Sequence, residues 1–344
     1  MSGSSDLFNR LADETILDIM SHLYLDSFEE FGKKPLNESI WHLTLCSKRL
    51  WRLGMEPLYS CIRVTKPCHV NGILSFLMKT PAYGNFVKKL EVECYYEDED
   101  EVEDTNGQNT LYMDGDNPFI KDGESYTDVL LALVNVAKHH GLSKTFISAI
   151  QSGKNWARVL LLIHLLPSLE ELIITPDDLP LYATCLSRLF HQGRVFSKLR
   201  SYTRRYYDTE GSFAAQTLIP IFLHPSVIEI QAHSAAMWDD GALDWQWLLP
   251  FGVQIEALYG NSNVETLELW RSRIDGDKFA TLLRLPRALK RLVYVDEIAV
   301  SSDFCSKDSF EKALHLTSQT LEVLSVCWDA DTAYIHELLV VKTG

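Results

Sequence analysis

Leu285-Pro286-Arg287-Ala288-Leu289-Lys290-Arg291-Leu292-Val293-Tyr294 changes its hydrophobic period in mid-course. Before it, Lys278 to Leu285 carries apolar residues at helical spacing. Proline then removes a backbone donor and disfavours further helix. Beyond it, Leu289, Leu292 and Tyr294 follow an L-x-x-L-x-L spacing, whose last members alternate as in a strand with one buried face. The stretch therefore joins a helix to a strand.

The unit recurs. Leu165-Leu166-Pro167 precedes Leu169, Leu172 and Ile174. Weaker copies are Leu223-His224-Pro225 with Val227, Ile230 and Ala232, and Pro81 with Val87, Leu90 and Val92. Val264, Leu267, Leu269 and Leu321, Leu324, Val326 keep the spacing without proline, and Leu199 with Tyr202 starts a more degenerate copy. From Leu169 on, successive starts lie 25 to 37 residues apart, room for one strand and one helix. Such a period with this motif is the signature of a leucine-rich-repeat solenoid. The expected fold class is α/β, an irregular solenoid with parallel strands on one face and helices on the other. The helices are predicted at Trp156 to Leu165, Leu181 to Phe190, Phe213 to Leu223, Lys278 to Leu285 and Phe310 to Leu316. A further helical pattern resumes at Asp128.

Upstream of the repeats, Ile16, Leu17, Ile19, Met20 and Leu23 fall at helical spacing behind Asp13 and Glu14. Acids there suit the positive end of the helix dipole. After a polar interval containing Gly32 and Pro35, a second apolar series runs through Ile40, Leu43, Leu45, Leu50 and Leu53, closing at Gly54 and Pro57. Leu11-Ala12-Asp13-Glu14 with Ile16 to Leu23 resembles the opening helix of the F-box family. The run Leu43-Thr44-Leu45-Cys46-Ser47-Lys48-Arg49-Leu50-Trp51-Arg52-Leu53 resembles that family's second half. Glu56-Pro57-Leu58-Tyr59 before Ile62-Arg63-Val64 is similar to its exit into the next domain. Ala12 stands where the family usually has proline, and the stretch from Tyr24 to Ser39 is longer than the family's connection. Asn263 to Tyr294 resembles the body repeats of fungal F-box proteins.

The resemblance implies a three-helix F-box module over 7–64 and a degenerate leucine-rich-repeat domain over 65–344. It implies that Leu11, Ile16, Leu17, Met20, Leu45 and Trp51 meet a Skp-type adaptor and, through it, a cullin. The chain would then be the substrate-recognition subunit of a ubiquitin ligase, holding a target protein on its repeats. The competing reading is a repeat scaffold whose N-terminal helices are only a cap, without a ligase role.

Composition agrees with a binding role. Acids outnumber bases 47 to 32, giving a net charge of −15, so a phosphate-reading surface and nucleic-acid binding are not expected. Seven scattered cysteines without Cys-x-x-Cys spacing fit reduced thiols. No signal-like N-terminus is visible, and the longest apolar run, Val159 to Leu166, is too short to span a bilayer. A soluble cytoplasmic or nuclear protein is expected.

The acidic run Glu97 to Asp104, with turn residues through Gly123, reads as a disordered loop at about 95–125. It lacks the Asp-x-Asp-x-Asp-Gly order of a calcium loop. His139-His140 belongs to no His-x-x-x-His, and no hydrolase or nucleotide motif occurs. No catalytic, cofactor or metal residue is nominated, and no enzyme is expected. Trp238 and Trp245 lie in the Trp-rich segment Met237 to Phe251; they either fill the core or anchor a target. Arg204, Arg205 and Arg271, just past predicted strands, suit an acidic ligand or simply a solvated rim. Trp238, Trp245 and Arg271 are the candidate target contacts. Positions alternating with the core leucines, among them Glu171, Ile173, Glu268 and Val293, should share one surface, with Glu265 and Lys290 beside them.

Deleting residues 97–123 should leave the melting temperature within about 5 °C of the parent, because a solvated loop buries little and closure entropy changes slowly with length. Calorimetry of the deletion variant checks this; a larger drop would show a packed segment.

Overall fold

The computed structural model describes residues 11–25, 38–93, 126–175, 180–191, 196–206, 211–237, 248–249, 253–296 and 307–327. The described chain opens with three helices, α1 (Asp13–Leu25), α2 (Glu38–Thr44) and α3 (Lys48–Tyr59). Then come β1 (Cys61–Val64), α4 (Pro67–Lys79), β2 (Lys89–Val92), α5 (Tyr126–His139), α6 (Lys144–Gln151) and α7 (Asn155–His164). These are followed by β3 (Glu171–Ile174), α8 (Pro180–His191), β4 (Ser201–Arg205), β5 (Phe213–Ala214), α9 (Ile219–Phe222) and β6 (Glu229–His233). The last elements are β7 (Ala235–Met237), β8 (Thr266–Ile274), α10 (Gly276–Arg284), β9 (Arg291–Asp296), α11 (Lys307–Leu314) and β10 (Val323–Cys327).

The fold is α/β with an open parallel sheet. Its main ladder runs β1-β2-β3-β4-β6-β8-β9-β10, and every pairing is parallel. Parallel neighbours need a crossover, and helical segments between the strands supply it. The short strands β5 and β7 add a side ladder against the far end of β8. The expected L-x-x-L-x-L segments supply the strands. Ile62, Leu90, Leu172, Tyr202, Ile230, Leu267, Leu292 and Leu324 share one register row, and their side chains belong to the main core. Helix residues such as Leu74, Leu160, Leu189, Phe222 and Phe279 close that core from one side.

The second apolar series spans α2 and α3: the Ser47 hydroxyl accepts from the Leu50 amide at 3.1 Å and starts α3 afresh. Three local expectations are corrected. Neither Gly54 nor Pro57 stops α3. Gly54 sits inside it because a Cβ there would collide with Thr44 Cγ2. The expected helix Phe213 to Leu223 is instead β5, a 3-10 turn over Ala215–Leu218 and the single turn α9. The cause is Arg204, which is not on a rim. It lies on the core side of β4 at 1 % exposure, in the row of Val92, Ile174 and Ala232. Its guanidinium covers the Phe213 ring at 4.1 Å and donates to Thr217 Oγ1, so the segment folds inward to serve it. Helices α4 and α6 have no counterpart among the expected ones.

At the ends of α5 and α7, the His140 and His164 rings meet edge to face at 4.8 Å, and His139 lies 5.6 Å from His140. Burial pushes His164 down to about 4, with the neighbouring His140 adding to the effect. The unfolded chain takes that proton near pH 6.5, whereas the folded protein resists it to about 4. This residue therefore lowers stability as pH falls from 6.5 towards 4 and contributes no slope outside that window. His164→Phe should flatten the decline, leaving the variant about 3 °C or more ahead of the parent at pH 4.5 relative to their difference at pH 7.5. Paired thermal melts at the two pH values check it.

Candidate functional site

Two surfaces carry candidate functional residues. The first is the N-terminal helical unit. Asp13, at the first position of α1, binds Arg49 of α3: Nε donates at 2.9 Å and Nη2 also reaches the carboxylate. The same Arg49 Nη2 donates to the Leu11 carbonyl at 2.6 Å, and Arg52 adds a 3.3 Å bond to Asp13. Beneath this clamp Ile16, Met20 and Leu50 form a small core edged by Leu11, Leu43 and Leu53. A core this small leaves apolar side chains outside. Leu17 is 38 %, Trp41 41 %, Leu45 59 % and Trp51 38 % exposed. Trp41 and Trp51 meet edge to face at 6.1 Å, which joins α2 to α3 on that surface.

Four of the six residues expected to meet a partner are thus accessible or at the edge: Leu17, Leu45 and Trp51 are exposed, and Leu11 is partly buried. Ile16 and Met20 are corrected. Both have 0 % exposure, because helical spacing turns them against Leu50, so in this structure they hold the unit together and present no surface to a partner. Trp41 is the residue the sequence reading missed. Its signal was present: it lies four residues before Leu45, on the same helical face.

The second surface is the sheet face turned away from the helices. Outward positions form rows across the strands, as alternation requires. One row runs Lys89, Glu171, Ser201, Glu229, Thr266 and Arg291; the next runs Arg63, Glu91, Ile173, Thr203, Gln231, Glu268 and Val293. Arg205, His233 and Trp270 follow in a third. Opposite charges on neighbouring strands neutralise each other. Lys89 meets Glu171 at 2.6 Å, Arg63 meets Glu93 at 2.6 Å, and Arg291 meets Glu268 at 3.0 Å. Arg205 bridges Glu91 and Glu93 at 3.3 and 3.4 Å. Burial and then the adjacent Glu93 carboxylate raise Glu91, with Arg63 opposing. Glu171, Ile173, Glu268 and Val293 share this face as expected, while Glu265 and Lys290 pair at 2.8 Å just ahead of their strands.

Beside that row the backbone is strained. Ser234 follows His233 with φ 63°, and Arg271 follows Trp270 with φ 51°, both left-handed without glycine. The Ser234 amide donates to the Trp270 carbonyl at 2.8 Å, and the Ser272 hydroxyl to the same oxygen at 3.1 Å. The register of β8 against β9 shifts between Leu269 and Ser272. This bulge directs Arg271 out to solvent and leaves the His233 and Trp270 rings stacked, 6.3 Å apart and 15° from parallel. Burial, then the Arg205 charge, lowers His233. Trp238, Trp245 and the stretch 95–125 lie outside the described residues. Among the described residues, Cys46 is an exposed free thiol while Cys61, Cys185 and Cys327 are buried ones. Among them no three His, Cys, Asp or Glu side chains could together hold a metal ion, and no helix is long and apolar enough to cross a membrane. No family model matches the sequence, and no curated protein is significantly similar to it.

The close fit of Gly54 against Thr44 sets how α2 and α3 pair. Gly54→Ala should destabilise the N-terminal unit by about 1–3 kcal/mol through overpacking. Thr44→Ser removes the colliding methyl, retains the hydroxyl that donates to the Trp41 carbonyl at 2.7 Å, and should recover most of that loss in the double variant. Hydrogen exchange on α2 and α3 measures both effects.

Proposed function

We propose that this chain is the substrate-recognition subunit of a Skp–cullin–F-box type ubiquitin ligase. The helical unit docks a Skp-type adaptor, and the parallel sheet with its helices is an irregular leucine-rich-repeat body that holds a target protein. The observation that carries the reading is the exposed apolar set Leu17, Trp41, Leu45 and Trp51 on a three-helix unit whose own core is too small to cover it. Hydrophobic patches of this kind are completed by a partner. The resemblance of residues 11–64 to the F-box names the partner, and the repeated strand motif names the body. Under this reading the chain does no bond chemistry itself and needs no cofactor. It raises the target's effective concentration at a conjugating enzyme held elsewhere in the assembly.

One observation favours the second reading, a repeat scaffold with a helical cap. The end of α3 is fastened to the body by Tyr59, which stacks on Phe76 at 5.8 Å and meets Tyr83 at 5.0 Å, and by the Glu56–Lys88 pair at 2.7 Å. A cap needs such a joint. It does not need two exposed tryptophans, one on α2 and one near the start of α3.

Leu45→Asp with Trp51→Asp separates the two. Both side chains are exposed, so the variant should keep its helices. Adaptor affinity should fall by at least about 3 kcal/mol, roughly a hundredfold, since apolar contact is lost and charge is buried in its place. Titration calorimetry against a purified Skp-type adaptor reads this directly. Unchanged affinity, or no adaptor binding by the parent, would return the N-terminal helices to a cap.

A further inference from the structure

Charges in the outward register rows of the sheet cancel in pairs, with one exception among the described residues. Lys89 is matched by Glu171, Arg63 and Arg205 by Glu91 and Glu93, and Arg291 by Glu268. Glu229, at the start of β6 and in the middle of the sheet, has no cation beside it. Its Oε1 accepts from the neutral amide of Gln231 at 2.8 Å, which orients the carboxylate and leaves Oε2 for another donor. Its register neighbours are Ser201 and Thr266, with Thr203 one row further on beside Gln231. These side chains are short. The carboxylate therefore stands in a shallow polar trough between two walls that are already electrically neutral.

Four residues along β6, about 13 Å at the strand rise, the trough ends at His233 and Trp270. Trp270 lies on a small apolar cluster of Val293, Val295 and Cys327, and donates its indole N–H to Glu268 at 3.2 Å. Its ring is fixed from both sides. The left-handed Ser234 and Arg271 beside it are conformations that persist only where the surroundings enforce them. Ser234 follows the carboxyl end of β6 and Arg271 lies in the bulge of β8 beside it; the carboxyl ends of strands are where parallel sheets present ligand sites.

We propose that this trough binds an extended, lysine- or arginine-containing segment of a partner protein, with the cation on Glu229 and an apolar side chain on the Trp270–His233 shelf. The inference rests on the proposed function for calling that partner the ligase target, and on charge complementarity for its chemistry. An ammonium or guanidinium reaching Glu229 forms a charge-assisted bond with the free carboxylate oxygen and neutralises the one unmatched charge of the face. An acidic segment would meet that charge, and the cations of the outward register rows, Lys89, Arg63, Arg205 and Arg291, already face carboxylates. The net charge of −15 favours approach of basic segments over acidic ones. Glu229 and the shelf are separated by about four residues of extended chain, so the recognised segment would carry the basic and apolar residues at that spacing.

The test is fluorescence anisotropy on the full chain with two labelled octapeptides of otherwise neutral polar residues, one carrying a lysine and a valine four positions apart and the other a glutamate and a valine at the same two positions, at about 0.15 M salt. The lysine peptide should bind and the glutamate peptide should not. Glu229→Gln should weaken the lysine peptide about tenfold and Glu229→Arg should reverse the preference, at unchanged melting temperatures. Trp270→Ala should also weaken it, and replacing the acids of 97–104 by serine should leave it unchanged. Equal affinity in Glu229→Gln, or loss on neutralising 97–104 alone, would overturn the site. Peptide binding that survives in a chain with no adaptor affinity would overturn the ligase reading and leave the trough standing.

Discussion

A carbonyl placed one residue ahead of a strand accepts two successive amides from the chain that enters the next strand. Ser60 receives Lys88 and Lys89 in this way at 2.8 and 2.9 Å, and Lys88 in turn receives Glu170 and Glu171. The same fork repeats at Glu170, Arg200, Ile228, Glu265 and Lys290, up to the entry of β10. A carbonyl oxygen has two lone pairs, so one acceptor satisfies both donors at the point where regular ladder bonding begins. Each fork fixes where the following strand starts, and hence which of its residues face the core. The connections between forks are free to vary. Between β2 and β3 the chain travels from Val92 to Glu171, with three helices among its described residues, yet enters β3 through the same fork as its neighbours. This repeated entry holds the register rows, and the rows place every side chain on the outward face.

That dependence explains what could be read from the sequence. The L-x-x-L-x-L segments were legible because a strand with one buried face shows its period in two or three leucines, and each of them lies at the same fork. Glu171, Ile173, Glu268 and Val293 could therefore be assigned to the outward face beforehand. Departures were legible only where side chains compete locally. Nothing in Ser-Tyr-Thr-Arg-Arg announces that Arg204 turns inward, because a guanidinium in a core row is tolerated only if something distant comes to meet it. Phe213 and Thr217 do so, and the helix expected there is lost as a result. Likewise Gly54 and Pro57 look like stop signals until Thr44 is known to occupy the space that a Cβ at 54 would need. The N-terminal core shows the same limit. Ile16, Leu17 and Met20 share an apolar stripe, and only the position of Leu50 decides which of them faces inward.

The bulge in β8 shows how one extra residue redirects a surface. Up to Leu269 the strand pairs with β6 and β9 in uninterrupted register; past Arg271 the partner on the β6 side changes to β7, while Ser272 pairs with Asp296 of β9 in the shifted register. The Ser272 hydroxyl takes over part of the ladder, accepting from the Ala235 amide at 3.3 Å while its own carbonyl accepts from Tyr294 Oη at 3.1 Å. Left-handed backbone at two non-glycine residues costs of order 1–3 kcal/mol each. These side-chain bonds offset that cost, and the bulge holds Trp270 in line with His233 and not turned away with Arg271.

The two candidate surfaces differ in physical character, and the difference bears on how they would be used together. The helical unit offers exposed apolar area beside an Asp13 already paired with Arg49 and Arg52, so association there would be governed by burial and depend little on salt. The sheet face offers paired charges with one unmatched carboxylate, so association there would depend on ionic strength and on the sign of the partner. A partner suited to one has little complementarity to the other. The surfaces also sit on separate elements: the exposed side chains lie on or just past α1, α2 and α3, whereas Glu229, His233 and Trp270 belong to β6 and β8, with four strands, β1 to β4, and their helices between. Sites so separated, with no shared side chains, contribute to binding independently. Under the proposed function this is the useful arrangement, because a receptor must hold its adaptor whether or not a target is present. What fixes the distance between the two is again the sequence of forks, each setting the next strand beside the last.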